Sequence, residues 1–318
     1  MDVCAPHRSK SVLIIGRKNG AGLEQDAGLI TRALVAGGYQ VRWVDPRDWR
    51  ALLWERPKAD LIVHLERVFP WWNRRKASSF LIPNQERFPA RYIKRLASMK
   101  GILCKTRHAE EVFSQLHPSA RYIGFTSPDR SVAGATPDYG RFFHLAGRST
   151  VKGTGVLLAL WARHPEWPEL TLVQHPDNAP ASVPANVRLI SRRVSDDELR
   201  ELQNACGVHL CPSLSEGWGH YIVEAMSCSA VVVTTDGPPM NELVRPGRGI
   251  LVPADRREPR HLGFDFYVDE RVLERAIADL INGTPAEKSQ LGAAARRWFE
   301  DNDRGFGSAL KQALDERA

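Results

Sequence analysis

The sequence has few cysteines and no long apolar run, and both features narrow the classes of protein that it can represent. Its 318 residues include five cysteines, an odd number without a Cys-x-x-Cys pair. We therefore expect buried free thiols in a reducing compartment, and neither a disulfide framework nor a zinc site. No apolar stretch approaches the roughly 18 residues of a membrane-spanning helix. The first residues lack the apolar core of a secretory signal, so we expect a cytoplasmic protein.

The sequence also lacks the Gly-x-Gly-x-x-Gly fingerprint of dinucleotide-binding proteins. The glycine-rich segment at residues 16–26 reads GRKNGAGLEQD, and the spacing of Gly16, Gly20 and Gly22 does not fit the fingerprint. This mismatch argues against an oxidoreductase with a dinucleotide fold. The segment lies between a predicted strand and a predicted helix, so Gly20 is a candidate for contact with an acceptor or a phosphate.

Short runs rich in Val, Ile and Leu alternate with helical patterns along the chain. Six such runs precede residue 126 and six follow residue 140. They are typical of strands buried on both faces of a parallel sheet, and the alternation predicts an α/β fold. We expect two Rossmann-like doubly wound domains that face a cleft. The Gly- and Pro-rich stretch at 124–140 favours an N-terminal domain at 1–136 and a C-terminal domain at 137–318.

The last helical patterns, at 293–302 and 307–318, fit either domain. They could stay on the second domain, or the last helix could pack back on the first.

Positive charge is concentrated in one segment of the first domain. Residues 67–107 contain eleven basic residues and one acid, Glu86, a balance of +10 against +7 for the whole chain. Six aromatic residues are interleaved with these cations. The composition fits a surface for an anionic membrane interface, an anionic acceptor or nucleic acid, and equally a solvated basic face with core aromatics. A peripheral position at the inner membrane face is one hypothesis.

Two polar segments of the second domain follow predicted strands, where ligands bind in open α/β sheets. After the first strand of this domain, Arg148 and Lys152 precede a helix. Two cations beside a helix N-terminus suit a diphosphate, and a solvated loop with the same residues is the alternative.

After the fourth strand, the segment SEGWGHYIVEAM places Glu216 in a glycine-rich turn and Glu224 about two helical turns later. Two carboxylates on one wall could bind the hydroxyls of two sugars; a helix-start acid and a surface glutamate are the alternative.

Three elements in this order, GRSTVKG, EGWGHYIVEAM and DGPPMNELV, resemble the donor domain of a GT-B glycosyltransferase. The resemblance is to the large retaining family that uses nucleotide-sugars, whose members carry two glutamates separated by seven residues. It covers residues 141–253, and the first domain resembles the family only in architecture. His220 stands where an apolar residue is usual, and Asn241 stands where proline is common.

The resemblance implies a glycosyltransferase that moves a sugar from a nucleoside-diphosphate sugar with retention of configuration. It implies that Arg148 and Lys152 bind the donor diphosphate. Glu216 would contact the transferred sugar, and Glu224 the ribose; Glu216, Lys152 and Arg148 are the catalytic candidates. Further donor contacts are implied for Gly147, Gly217, Trp218, Gly219, His220 and Tyr221, and for Ile190 and Arg192 within the base-binding segment 189–194. We expect no metal and no cofactor beyond the donor substrate, because fixed cations can stabilise a leaving phosphate.

The acceptor side belongs to the first domain, where polar residues follow two predicted strands. Besides Gly20, the candidates are Asn84, Gln85, Glu86 and His108. Glu86 is either an acceptor contact or the charge partner of Arg87 or Arg91. We expect a lipid-linked or cell-envelope glycan as acceptor. The alternatives are a nucleic acid acceptor and a non-catalytic nucleotide-sugar-binding module.

Overall fold

The computed structural model describes residues 9–18 and 22–316, and by its contacts the chain divides into two compact units. The first holds the residues up to Phe125 together with those from Asp303 onward, and the second is Thr126–Asn302. The boundary between the units, after Phe125, comes earlier in the chain than the predicted boundary after residue 136. The Gly- and Pro-rich stretch belongs to the second unit because Arg130 forms an ion pair with Asp196 of that unit at 2.8 Å.

The first unit contains a six-stranded parallel sheet with the order β2-β1-β3-β4-β5-β6. All six strands coincide with the predicted apolar runs, and the strands β3, β4 and β5 are almost wholly buried. The strands are β1 (Ser11–Ile15), β2 (Gln40–Val44), β3 (Leu61–Glu66), β4 (Ser78–Pro83), β5 (Gly101–Cys104) and β6 (Ala120–Tyr122). Its α-helices include α1 (Gly22–Ala36), α2 (Trp49–Trp54) and α3 (Arg107–Ser114), with 3-10 segments at Arg56–Lys58, Pro70–Trp72, Gln85–Arg87 and Ala90–Ser98.

The second unit contains a seven-stranded sheet with the order β13-β12-β11-β10-β7-β8-β9. Its strands are β7 (Asp138–Gly147), β8 (Leu170–Gln174), β9 (Val187–Ile190), β10 (Cys206–Cys211), β11 (Val231–Asp236), β12 (Ile250–Arg260) and β13 (Gly263–Val268). Its helices are α4 (Thr154–Arg163), α5 (Asp196–Ala205), α6 (His220–Ser227), α7 (Met240–Leu243) and α8 (Glu270–Asn282), with a 3-10 segment at Pro176–Asn178, and α9 (Pro285–Asp315) begins in this unit. The α/β fold with two parallel-dominated sheets is confirmed.

The seventh strand was not predicted. β12 runs beyond the predicted apolar run and pairs antiparallel with β13 to form a hairpin. Its outer half is rich in charge, and it is stabilised by cross-strand contacts such as Arg260 with Asp265 at 2.9 Å and Arg256 over the ring of Tyr267 at 3.8 Å. Charged side chains are typical of edge strands, and apolar periodicity cannot detect them.

The two helical patterns predicted near the C-terminus form one helix, α9, of 31 residues. Gly305 and Gly307 lie inside it and do not end it. The residues from Asp303 onward group with the first unit, where Phe306 packs edge-on against Phe125 at 5.0 Å. In the same unit Tyr39 donates a hydrogen bond to Asp315 at 2.6 Å.

The core of the second unit lies between the sheet and the helices α4 and α8. Trp161 is fully buried there against Phe142, and its indole N–H donates to the carbonyl of Pro168. The prediction of buried free thiols is confirmed for the four described cysteines, Cys104, Cys206, Cys211 and Cys228. Over residues 9–18 and 22–316, the helices are all too short or too polar to cross a bilayer.

Gly292 and Gly305 of α9 provide a matched test of close packing. A Cβ at Gly292 would lie 2.0 Å from the carbonyl oxygen of Ser229, whereas a Cβ at Gly305 would meet nothing within 4 Å. We expect Gly292→Ala to lower the free energy of unfolding by about 1–3 kcal/mol through overpacking. Gly305→Ala should raise it by about 0.5–1 kcal/mol through helix propensity. Urea unfolding of both variants measures this, and a Gly292→Ala protein as stable as wild type would contradict the packing of α9.

Burial lowers the pKa of three histidines, His64, His144 and His209, to about 4. The unfolded chain binds their protons near pH 6.5, so between pH 6.5 and 4 the unfolded state holds more protons than the folded state. The free energy of unfolding should therefore fall as the pH drops through this window. Each histidine contributes a loss on the order of 3 kcal/mol. Urea unfolding at several pH values should show a shallower fall for His209→Gln, and parallel curves would contradict a buried neutral His209.

Candidate functional site

An ion pair joins two loops at the carboxyl ends of neighbouring strands. Lys152 follows β7 and Glu216 follows β10, and Lys152 Nζ lies 2.5 Å from Glu216 Oε1. Only 16% of the lysine side chain and 13% of the glutamate side chain are exposed, so the pair is far less screened than a surface pair. The backbones meet as well, since Leu214 N–H donates to the carbonyl of Val151 at 2.9 Å.

Ser213 and Tyr221 fix the position of this ion pair. Ser213 Oγ donates to Glu216 at 2.6 Å and lies 2.5 Å from the hydroxyl of Tyr221. Lys152 Nζ sits 3.6 Å from the centroid of the Tyr221 ring, a cation–π contact. Burial, with the nearby Cys211 and Glu216, raises the pKa of Tyr221 well above its usual value, so its hydroxyl stays protonated. Sequence reasoning did not select Ser213 as a site residue, because a serine after a strand carries no signal of its own.

Glu224 lies on α6 and is held by a buried polar chain. Gln203 Nε2 donates to Glu224 Oε2 at 3.2 Å, and Gln203 Oε1 accepts from Arg130 Nε at 2.8 Å. Arg130 also binds Asp196, as described above. Arg130 and Gln203 were missed, since residues that are distant in sequence and meet only through the fold leave no local pattern.

Two helices of the site begin at glycines in the left-handed region. Gly219 precedes α6 with φ 103°, and Gly153 precedes α4 with φ 74°. A Cβ at Gly153 would lie 2.2 Å from the carbonyl oxygen of Pro212, so a side chain there would force apart the loops that carry Lys152 and Glu216.

The GWGHY turn is packed through Ser127. Trp218 Nε1 donates to Ser127 Oγ at 3.1 Å, and His220 Nδ1 lies 2.9 Å from the same oxygen. Trp218 is buried and His220 is half-buried. Gly217 and Gly219 are buried beside them. These contacts order the start of α6.

Arg148 lies apart from the contacts of the ion pair. Its side chain is exposed, with Nη2 2.7 Å from His175 Nε2, and it follows Gly147, whose φ is 55°.

The segment 189–194, predicted to bind the base, lies at the end of β9. Ile190 is the last residue of this strand and is buried, whereas Arg192 is exposed and forms an ion pair with Glu198.

The acceptor-side candidates lie in the first unit. Asn84, Gln85 and Glu86 follow β4, and the latter two are buried. Glu86 Oε1 lies 3.7 Å from Arg87 Nε, which matches one of the two partners considered for it. His108 is half-buried in the first turn of α3, a helix whose N-terminal cap is Thr106. Gly20 lies outside the described residues.

In the described part of the chain, no group of three or more His, Cys, Asp or Glu side chains is arranged to bind a metal ion. The sequence contains one Asp-x-Asp triplet, Asp301-Asn302-Asp303. It lies inside α9 rather than at a strand end.

Residues 181–298 match the family model described as Glycosyl transferases group 1. The chain is also 27% identical over 184 residues to the alpha-maltose-1-phosphate synthase of Mycolicibacterium smegmatis; the match covers 56% of this chain and 42% of that protein. The chain thus spans about two fifths of the length of this curated relative.

The solved structures that share the fold across nearly the whole chain include HepE and WaaG. HepE of Anabaena, crystallised with UDP and glucose, superposes with a TM-score of 0.70 at 14% identity, covering 96% of this chain and 98% of that one. WaaG, a glycosyltransferase of lipopolysaccharide biosynthesis, superposes with a TM-score of 0.67 at 15% identity, covering 96% and 99%. At such identities the likeness shows the fold alone. The chain therefore has the GT-B fold that the three sequence elements predicted, and its residues 181–298 are similar to the glycosyltransferase group 1 model.

Proposed function

We propose that the protein is a glycosyltransferase whose second unit binds a nucleoside-diphosphate sugar at the Lys152–Glu216 pair. The observation that carries this proposal is the convergence of a cation after β7 and a carboxylate after β10 on one partly buried position. Both belong to sequence elements that resemble nucleotide-sugar enzymes, and the family match over residues 181–298 includes Glu216 and Glu224.

Lys152 is suited to stabilise the leaving diphosphate. Glu216 and Tyr221 already hold its ammonium group, so little reorganisation is needed when negative charge develops on the phosphate. Arg148 would supply a second, solvent-exposed cation. We propose that these charges replace a metal ion and that no further cofactor takes part.

The two glutamates are suited to hydroxyl groups. Glu224 is a buried carboxylate oriented by Gln203, and a carboxylate can accept from two vicinal hydroxyls, as in a ribose. Glu216 would contact the transferred sugar. The acceptor hydroxyl would attack the anomeric carbon on the face that the diphosphate leaves, and the configuration would be retained.

Nucleotide binding is the first test, with UDP, GDP, ADP and dTDP as separate ligands in thermal unfolding. We expect one of them to stabilise the wild type. Glu224→Gln should weaken its binding by roughly 10- to 100-fold, because hydrogen bonds to a charged group contribute about 1.5–3 kcal/mol. The control Glu201→Gln changes an exposed carboxylate of α5 and should bind like wild type. Equal affinities for both variants, or no stabilisation by any of the four, would contradict the donor site.

We further propose that the basic side of the first unit binds an anionic membrane surface that presents the acceptor. Three tryptophans are more than half exposed, Trp49 at 63%, Trp54 at 67% and Trp71 at 54%. Arg56 Nη1 donates to the carbonyl of Trp71 at 2.6 Å, which joins this residue to the segment that follows α2. Exposed tryptophans beside arginines are typical of the membrane interface.

A basic groove is lined by the residues that follow Trp71 in the chain. It has a volume of about 430 Å³, and the described residues that line it include Arg74, Arg75, Lys76 and Lys100 but no acid. Arg74 connects the groove to the segment after α2, since it donates to the carbonyl of Pro57 at 2.6 Å. Such a charge distribution favours phosphate-bearing head groups.

Vesicle flotation tests this surface. We expect the protein to float with phosphatidylglycerol-containing vesicles and not with phosphatidylcholine alone. The double variant Arg75→Glu with Lys76→Glu should lose most of this binding, since each basic residue near an anionic surface contributes about 1 kcal/mol. The control pair Arg271→Glu with Arg275→Glu reverses two exposed charges on α8 and should float like wild type.

Two results would contradict the membrane proposal. Flotation that is the same for both double variants would show that the groove is not involved. Binding of a DNA duplex that falls steeply with salt, without flotation, would favour the nucleic acid acceptor instead.

A further inference from the structure

The second unit contains a cavity of about 630 Å³ that the donor site does not use. It is walled by the first turn of α4, the segment after β8, the loop after β10 and the β12–β13 hairpin. Its described lining includes Gly153 and Pro212 but none of the residues assigned to the donor. Its volume lies within the range of small-molecule sites.

Gln174 leaves a buried acceptor in this wall. It is the last residue of β8, only 6% of it is exposed, and its Oε1 has no hydrogen-bond partner. A buried carbonyl oxygen without a partner costs about 1–3 kcal/mol, and most such groups in proteins are satisfied. A ligand with a hydroxyl group would remove this cost.

The first turn of α4 supplies the complementary donors. The helix begins after Gly153 without a side-chain cap, so its first N–H groups have no partner within the helix. Thr154, Gly155 and Val156 of this turn line the cavity. The site thus offers donors on one wall and an acceptor on another, a combination that matches hydroxyl groups.

The charges of the lining disfavour an anion despite the helix N-terminus. Asp255 and Glu270 line the cavity together with one cation, Arg256. Arg256 is already paired with Glu258 at 2.7 Å and stacked on Tyr267. Glu270 is likewise paired, with Arg163, so the only cation in the described lining is already engaged and a phosphate would find no available cation in the cavity.

Apart from Thr150 and Asn178, the remaining wall is apolar and aromatic. It includes Val156, Leu158, Leu214, Val268 and the ring of Tyr267. Carbon-bound hydrogens of a sugar ring pack well on such surfaces, while its hydroxyls meet the polar groups. We propose that this cavity is a second carbohydrate site, which binds a neutral sugar unit distinct from the sugar of the donor.

Saturation-transfer NMR tests the proposal with glucose, galactose, mannose, N-acetylglucosamine and maltose as probes and no nucleotide present. We expect saturation of at least one probe by the wild type. Gly155→Phe should abolish it, because a side chain at Gly155 would meet nothing within 4 Å and would fill the cavity. Gln174→Leu keeps the side-chain volume but removes the acceptor, and should weaken binding at least about 5-fold, as expected for one lost hydrogen bond.

Two controls separate this site from the donor site and from misfolding. Ala162→Phe introduces the same side chain at an exposed position of the same helix, outside the cavity lining, and should keep full saturation. Glu216→Gln changes the proposed contact to the transferred sugar of the donor and should also keep full saturation. Thermal unfolding of Gly155→Phe confirms that the variant is folded.

The outcomes decide between the alternatives. Saturation that survives in Glu216→Gln and disappears in Gly155→Phe supports the second site. No saturation of any probe, equal saturation in Gly155→Phe and Ala162→Phe, or loss in Glu216→Gln would overturn it. Displacement of the sugar by inorganic phosphate would also overturn it, because it would show an anion site. None of these results depends on whether the protein transfers a sugar.

Discussion

The candidate site depends on one partly buried ion pair between Lys152 and Glu216. Charges removed from water must be compensated, and loss of one partner would leave the other uncompensated in a weakly screened position. The pair bridges loops from two neighbouring strands, so it fixes the loop after β7 against the loop after β10. Ser213 and Tyr221 complete the arrangement by binding the carboxylate and covering the ammonium group.

The two loops that carry Lys152 and Glu216 can come this close only because glycines stand at two backbone positions. Gly153 allows the first loop to pass against Pro212, and Gly219 allows α6 to begin directly after the acidic turn. His144 adds a further tie between the same elements, because its two ring nitrogens lie 2.7 Å from the carbonyl of Leu210 and 3.0 Å from Thr154 Oγ1. Its burial keeps it neutral near pH 7, so it connects β10 to α4 without adding charge.

Much of this arrangement could be predicted from sequence because it follows from strand periodicity. Buried parallel strands appear as continuous apolar runs, and parallel strand ends meet at one edge of a sheet, so Lys152 and Glu216 could be expected to converge. The β12–β13 hairpin could not, since its stability comes from cross-strand pairs of charged residues. The chain Arg130–Gln203–Glu224 and the cavity beside Gln174 could not be predicted either, because both are products of tertiary packing.

A double-mutant cycle on Lys152→Met and Glu216→Gln tests the central claim most directly. The quantity to measure is the dissociation constant of the nucleotide-sugar that binds the wild type, by calorimetry, for the four proteins. If the two residues act as one unit, the double variant should bind within about 2-fold of the weaker single variant. Losses that multiply, or a wild-type affinity in both single variants, would contradict the account.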